Sequence, residues 1–571
     1  MLKSVVLWGC FSIMARLKLK RARQTIAVSF CQIPFLVSAM LIAPSQPQAQ
    51  TRIPEEHGHR ADSSSQPSAD AIYQRGMLLA QQKHYDEALG CFRLLQTQFP
   101  QSPQGFTGEG IALALMGEPQ RAINILKTAL LVDPDYWLAR RELGILYWSE
   151  GLRQDGAETL EPLADLHPDD APVNSILGQY ELERKNYGKA LAYFSRVPAE
   201  MAADPNLALM GAEAQLHSSE KTRAEQTLKG LEGRPDLTAE VRFRLAWLLG
   251  QAGLSKEAVQ EFNKLPLDYP DRFRRSYGLA LAYFTEQDYQ ECVQTLRALL
   301  GAGMTQPEIY SLVGVAEERS GHTQEAYQAF REGILKNPAD LQNYLNFATL
   351  SSEHQNYELA AEVLTEGLTR NPQAHELFLS RGIAYTLAAR FAEANQDYQR
   401  AIEMAPEDYG VYLAMGISEQ ETGNLDDAIR LFREATVHEP KDPRSYCFLT
   451  ETLMQRGAVP GGSDFQEAQQ SINTALSLEP NFAHAYADRA KLELAQGNTK
   501  KAIVDLEHAR SADPKSRQIA YALARAYQRE GDKAKADRLF REVRGQSDED
   551  AGQFAKDSLT ETMAVVSGGP R

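Results

Sequence analysis

The sequence predicts an all-α protein built as a solenoid of tandem helix hairpins. Small residues, large apolar residues and prolines recur in a 34-residue frame along most of the 571-residue chain. Good helix formers such as Ala, Leu, Glu, Gln and Arg are plentiful, while runs of β-branched residues are scarce. A chain of this length also exceeds one ordinary hydrophobic core, which favours several domains or a repeat array.

The first fifty residues are predicted to be a targeting segment and not part of the fold. The basic stretch 16–23 precedes the apolar stretch 25–43, which is the layout of a secretory signal peptide. Gln32 and Pro34 interrupt the apolar stretch, and this suits a signal peptide better than a durable membrane span. Because no cleavage site stands out, an uncleaved N-terminal membrane anchor stays an alternative for residues 1–50.

Either reading predicts that the rest of the chain is exported, to a bacterial periplasm or the outer face of the membrane. The apolar run before residue 16 leaves the start codon open between Met1 and Met14. Residues 51–68, rich in Pro, Gln, Ser and charged groups, are predicted to be a flexible linker.

The charge distribution argues against nucleic acid as a partner. The formal net charge is −16, and residues 1–50 contribute six basic side chains and no acidic one. The remainder of the chain is therefore still more acidic than the whole, whereas binding to a phosphate backbone needs clustered Lys and Arg. The five cysteines are dispersed and show neither a disulfide framework nor metal-ligand spacing.

The repeat frame is set by an alanine near the start of every second helix. Successive members are 34 residues apart or a multiple of 34 until residue 428, with Gly156 and Cys292 at the two skipped places. The alanines are Ala88, Ala122, Ala190, Ala224, Ala258, Ala326, Ala360, Ala394 and Ala428, followed by Ala468, Ala502 and Ala536. The longer step to Ala468 coincides with a six-residue insertion at 458–463.

Three further features keep a constant distance from this alanine. A Gly or Ala precedes it by twelve residues (Gly76 in the first repeat), a large apolar residue follows it by four (Phe92), and a proline usually follows it by twelve (Pro100). Small residues let two helices approach closely and the bulky residue fills the space beside them. Proline ends the second helix because it cannot donate the next backbone hydrogen bond.

This small–small–large–proline pattern resembles the tetratricopeptide repeat (TPR). The resemblance covers residues 69–545 as fourteen repeats and implies a right-handed superhelix whose first helices line a concave wall. The departures are local, namely Gly156 in the third repeat, the insertion in the twelfth, and a missing closing proline in two others. Residues 546–571 are predicted to form an amphipathic helix that caps the last repeat, followed by a loose tail.

The family resemblance also implies where a partner binds. Repeats one to three and six to seven carry apolar and aromatic residues at the concave-wall positions, which are common anchors for a helix or an extended peptide. The candidate partner-binding residues are Tyr73, Met77, Ile111, Ile145, Trp148, Phe243, Trp247, Tyr277, Leu281 and Phe284. The alternative is that neighbouring repeats bury them as core. No asparagine follows the first small residue of any repeat, which argues against the carboxylate clamp of chaperone-binding relatives.

The sequence therefore predicts a scaffold that binds proteins or peptides, serving cell-envelope assembly or secretion. It contains no G-x-S-x-G, HExxH, P-loop or dinucleotide motif, so we expect no catalytic residue, metal site or cofactor. Self-association through the apolar walls is the main alternative. An enzyme with an unrecognised site between repeats is the least favoured one.

Overall fold

The computed structural model describes residues 68–543 and 552–568. These residues fold as two compact units that divide between Pro270 and Asp271. Each unit is an α-solenoid of consecutive helix hairpins, in which a repeat contributes a first and a second helix. The predicted targeting segment 1–50 and almost all of the predicted linker 51–68 lie outside the described residues. Ser68 is described and caps the first helix by accepting a hydrogen bond from the Ala71 amide.

The N-terminal unit contains repeats one to six. Their first and second helices are, in order, Ala69–Gln81 with Tyr85–Gln98, Gln104–Leu115 with Pro119–Val132, Trp137–Ser149 with Arg153–Leu160, Ala171–Glu183 with Tyr187–Phe194, Pro205–His217 with Lys221–Lys229, and Ala239–Ala252 with Ser255–Asn263. Two short helices, Leu163–Leu166 and Pro198–Ala203, follow the second helices of repeats three and four.

The C-terminal unit contains repeats seven to fourteen and one additional helix, which we call the C-terminal helix (Gln553–Val566). The repeat helices are Arg272–Thr285 with Tyr289–Gly301, Pro307–Arg319 with Thr323–Lys336, Leu341–Glu353 with Tyr357–Arg370, His375–Leu387 with Phe391–Met404, Tyr409–Glu421 with Leu425–His438, Pro443–Gln455 with Ser463–Leu478, Ala483–Ala495 with Thr499–Ala512, and Arg517–Glu530 with Lys533–Val543.

Where the small residue of the first helix is a glycine, it faces the large residue of the second helix, as the sequence predicts. A Cβ atom built on Gly382 would lie 2.6 Å from Cε1 of Tyr398. The third repeat shows why Gly156 replaces the usual alanine, because a Cβ there would lie 3.0 Å from the carbonyl oxygen of Gly144. The helices of this hairpin therefore approach so closely that even a methyl group does not fit without a shift.

Aspartates that cap first helices are a regular feature that the repeat frame did not include. Asp170, Asp340, Asp408 and Asp442 each accept a hydrogen bond from a backbone amide in the first turn of the helix that follows. Each lies two residues after a closing proline. The proline thus ends one helix and the aspartate starts the next one by satisfying an amide that has no partner within the helix.

The C-terminal helix differs from the prediction in its location. It is helical and amphipathic as expected, but its main contacts are with the first helices of repeats nine, ten and eleven and not with the last repeat. The last repeat needs little covering, because its second helix buries only Ala536, Leu539 and Val543 and exposes charged residues elsewhere. The C-terminal helix packs instead against the first helices of repeats nine to eleven, where Leu559 and Met563 are buried.

Candidate protein-binding surfaces

In the N-terminal unit most of the predicted wall residues of repeats one to three pack against the hydrophobic core. Tyr73 and Met77 contact one core cluster, and Ile145 contacts another cluster, which includes Trp148. The Arg153 guanidinium lies 4.0 Å from the Trp148 ring centroid, a cation–π contact that covers the indole further. Tyr73, Met77, Ile111 and Ile145 are half-buried, and Trp148 is buried.

The second aromatic set is divided between the two units. In the N-terminal unit Phe243 is only 4% exposed, and its ring centroid lies 5.7 Å from those of both Phe262 and Tyr269. Trp247 lies beside Phe243 and is half-buried. This arrangement is that of a packed aromatic core.

In the C-terminal unit Tyr277, Leu281 and Phe284 are all buried. Tyr277 stacks on Phe273, and Phe284 meets the edge of Tyr289 at a centroid distance of 5.3 Å. The structure thus gives five of the ten candidates a packing role, namely Trp148, Phe243, Tyr277, Leu281 and Phe284. Partner contact stays a prediction for the half-buried remainder.

A different surface already accepts a helix. The first helices of repeats nine to thirteen form what we call the first-helix groove, and the C-terminal helix lies along it. The N-terminal end of this helix contacts repeats twelve and thirteen, and its later turns contact repeats nine to eleven. Leu559 and Met563 are buried in the same core cluster as Leu379 and Ile383.

An aromatic pocket holds the N-terminal end of the C-terminal helix. The Phe554 ring stacks on Phe448 at a centroid distance of 4.6 Å and on His484 at 3.9 Å, with Phe482 at its edge. Burial lowers the pKa of His484, so the neutral imidazole is favoured against the phenyl ring. Phe554 therefore anchors the helix through rings contributed by two consecutive repeats.

A buried arginine holds the middle of the C-terminal helix. Arg444 donates two hydrogen bonds to the Asp442 carboxylate, at 3.0 and 3.1 Å, and one to the Tyr409 hydroxyl at 3.3 Å. Its Nη1 donates to the Glu561 carboxylate of the C-terminal helix at 3.0 Å. Desolvation opposes the charged guanidinium, but the bonds to Asp442 and the nearby carboxylates outweigh it and raise the pKa of Arg444. The groove thus presents a fixed cation with a preset orientation.

A second charged cluster lies beside the aromatic pocket, in repeats twelve and thirteen. The Lys491 ammonium donates to Asp488 at 2.8 Å and to Glu451 at 3.2 Å. The Asp488 carboxylate raises the pKa of Lys491, while burial raises the pKa of Asp488 to about 6. The wall positions of the repeat frame do not include Arg444 or His484, because each lies near the start of its first helix.

The remaining features of the described residues concern metal sites, membrane-spanning helices and disulfide bonds. Within residues 68–543 and 552–568 no group of His, Cys, Asp or Glu side chains is arranged to hold a metal ion. Over the same ranges no helix is both long and apolar enough to cross a membrane. Cys292 and Cys447 are buried and Cys91 is half-buried, and these three described cysteines form no disulfide bond with one another.

The fold and the groove define a class, namely the helical-repeat scaffolds that bind other proteins. Family models of the tetratricopeptide repeat match residues 70–102, 113–180, 345–409, 385–447, 461–517 and 493–556. The chain belongs to the tetratricopeptide repeat family. Members of this family are protein-interaction scaffolds and are generally non-catalytic.

Several characterised proteins resemble the chain at low identity. Anaphase-promoting complex subunit 3 of Schizosaccharomyces pombe is 21% identical over 284 residues, covering 49% of this chain and 41% of that protein. Cellulose synthase operon protein C of Pseudomonas fluorescens is 23% identical over 501 residues, covering 81% of this chain and 35% of that protein. The chain therefore spans well under half the length of these relatives.

Solved structures of helical-repeat proteins also align with the chain. The hetero-tetramer Cut9–Hcn1 of the anaphase-promoting complex aligns over 80% of this chain and 96% of its own, at 14% identity and a TM-score of 0.36. Yeast Tom70 aligns over 87% of this chain and 96% of its own, at 17% identity and a TM-score of 0.35.

Proposed function

We propose that this protein is a non-catalytic scaffold, exported or membrane-anchored, that holds partner proteins through helical segments bound in the first-helix groove. The observation that carries the proposal is the C-terminal helix seated across the first helices of repeats nine to thirteen. A surface that buries Leu559 and Met563 and pairs Arg444 with a carboxylate has the shape and chemistry to hold an amphipathic helix.

The sequence supports the proposed location. Residues 1–50 combine a basic stretch with an apolar one, which is typical of a signal peptide or an N-terminal anchor. Cell-envelope assembly or secretion is the setting that such a location favours. The similarity to a protein named for a cellulose synthase operon supports the same setting, since it extends over 81% of this chain. The acidic body favours protein partners over nucleic acid.

In-cell crosslinking with mass spectrometry, combined with cell fractionation, tests the proposal. We expect crosslinks between a different protein and the first helices of repeats nine to thirteen, in a fraction outside the cytoplasm. Crosslinks confined to the second helices would refute the groove as the binding surface. A protein found only in the cytosol would refute the export.

Self-association is a second candidate that the same observation favours. If the groove accepts the chain's own C-terminal helix, it also fits that helix from a second copy. Light scattering across a concentration series separates the two cases. A strict monomer at every concentration excludes self-association, whereas a dimer that is lost when Phe554 is replaced by alanine supports it.

A further inference from the structure

The groove specifies the kind of helix that it binds. Resting on the proposed function, we propose that the first-helix groove recognises a partner's amphipathic helix that carries an aromatic residue seven positions before an acidic one. Residues 553–566 occupy this site until the partner helix displaces them. The C-terminal helix is then an internal competitor that regulates access to the groove.

The spacing of the contact residues on the C-terminal helix gives the first argument. Leu559 and Met563 are four residues apart and share one buried face of the helix, whereas Phe554 contacts the groove from a different side of the helix. Glu561 follows Phe554 by seven residues, or two helical turns, which is about 10 Å along the helix axis. The aromatic pocket and Arg444 therefore define two anchor points at a fixed distance.

Both anchors are selective by their chemistry. The pocket stacks two flat rings, Phe448 and His484, on Phe554, an arrangement that an aliphatic side chain does not reproduce. Arg444 is 8% exposed and already bonded to Asp442, so its remaining donor is fixed in direction. A carboxylate satisfies that donor, whereas a lysine or arginine at the same place would be repelled.

The fit of the C-terminal helix is incomplete, which makes it replaceable. The hydroxyls of Thr349 and Ser352, on the first helix of repeat nine, are buried and have no hydrogen-bond partner among the described residues. Such unpaired groups weaken the docked state. A helix with an amide side chain in reach of them would bind better.

Access from solvent gives a route for the exchange. The Glu561 side chain is 44% exposed although its partner Arg444 is buried. A second carboxylate can therefore approach the guanidinium while the first one leaves, so that the Nη1 donor of Arg444 is not left without an acceptor at any stage. The C-terminal helix then also gives up the apolar contacts of Leu559 and Met563, and the incoming helix makes the corresponding contacts.

The test uses the full chain and a labelled synthetic peptide with the sequence of residues 553–566. An opened variant combines Phe554→Ala with Met563→Ala in the full chain, which weakens the internal helix without altering the groove. The matched control is Lys556→Ala, since Lys556 is exposed on the same helix. We expect the opened variant to bind the peptide at least about tenfold more tightly than the wild type and the control, because the internal competitor is weakened.

Peptide variants test the two anchors without any risk to folding. We expect a peptide with Glu561→Gln and one with Phe554→Leu each to bind the opened variant about fivefold to tenfold more weakly. Equal peptide binding by the wild type and the opened variant would overturn the internal competition. Unchanged binding of both peptide variants would overturn the assigned recognition.

A second measurement separates this inference from the proposed function. In-cell crosslinking is compared between wild type and opened variant at repeats nine to thirteen. More crosslinks to a different protein in the opened variant support both proposals. Equal crosslinks keep the scaffold function and overturn the competition. No crosslinks to a different protein in either overturn the proposed function, and crosslinks only between copies of this chain identify a second copy as the occupant.

Discussion

The close contact between Gly382 and Tyr398 predicts a measurable loss of stability for Gly382→Ala. The new Cβ would lie 2.6 Å from Cε1 and 2.8 Å from Cδ1 of the Tyr398 ring. The ring cannot easily move away, because Tyr398 is fully buried and its hydroxyl is held at 2.8 Å from the Thr386 hydroxyl. Relief of the clash therefore requires the two helices to separate or the hydrogen bond to break.

The change in the free energy of unfolding is the sum of two destabilising contributions and one stabilising contribution. Overpacking of a dense core costs about 1–3 kcal/mol. Loss of the hydrogen bond between Tyr398 and Thr386 adds about 1 kcal/mol. The better helix propensity of alanine returns about 1 kcal/mol. We expect Gly382→Ala to lower the free energy of unfolding by about 2 kcal/mol.

Urea unfolding followed by circular dichroism, with hydrogen exchange read out by repeat, measures this effect. The local readout is needed because long repeat arrays do not unfold as one cooperative unit. Gly90→Ala is the matched control, since Gly90 lies within a helix and nothing lies within 4 Å of a Cβ built there. The control should gain stability. If Gly382→Ala also gains stability, then the close helix approach does not determine the small residue of the repeat frame.

Three further predictions concern the C-terminal unit. Asp397→Ala should lower the unfolding midpoint, because it leaves the partly buried Arg381 without the carboxylate to which it donates two hydrogen bonds of 2.7 Å; an unchanged midpoint in urea would contradict this. Since burial raises the pKa of Asp488 to about 6, the folded state binds its proton more tightly than the unfolded state, and this contribution to stability is lost as the pH rises from about 4 to about 6. The stability of the wild type relative to Asp488→Asn should accordingly fall between pH 4 and pH 7, and a constant difference would show that the carboxyl group titrates normally. Leu559→Ala should raise the hydrogen-exchange rate of residues 553–566 but not that of the last repeat, and a parallel rise in the last repeat would mean that the C-terminal helix caps it.

The repeat frame was predictable because it depends on local rules. The pairing of Gly382 with Tyr398 needs only the spacing of small and large residues, which the sequence displays directly. The aspartate caps could also have been predicted from the sequence, since Asp340 and Asp408 each lie two residues after a proline. The repeat frame did not include them because it was defined by small residues, large apolar residues and prolines. These features involve residues that are close in sequence.

The location of the C-terminal helix was not predictable from such rules. Amphipathicity identifies the apolar face that contains Leu559 and Met563, but it does not say against which helices of the unit that face packs. The ion pair between Arg444 and Glu561 spans more than one hundred residues, and no repeat-to-repeat spacing encodes it. The sequence also did not determine whether Phe243 and Tyr277 are buried, because a residue at a wall position can face either the neighbouring repeats or a ligand.

The predicted aromatic wall and the first-helix groove differ in their side chains, and this difference indicates where a partner is expected to bind. A wall as apolar as the stretch containing Tyr277 and Phe284 promotes aggregation if it is left open to solvent, and in the structure these side chains are buried as core. The first-helix groove instead carries hydroxyls such as those of Thr349 and Ser352, together with two separated anchors. Besides its apolar contacts with Leu559 and Met563, this groove thus offers polar groups, and a helix that matches both anchors gains affinity from them. We therefore expect exchange at the first-helix groove, where the bound helix is held by two separated anchors.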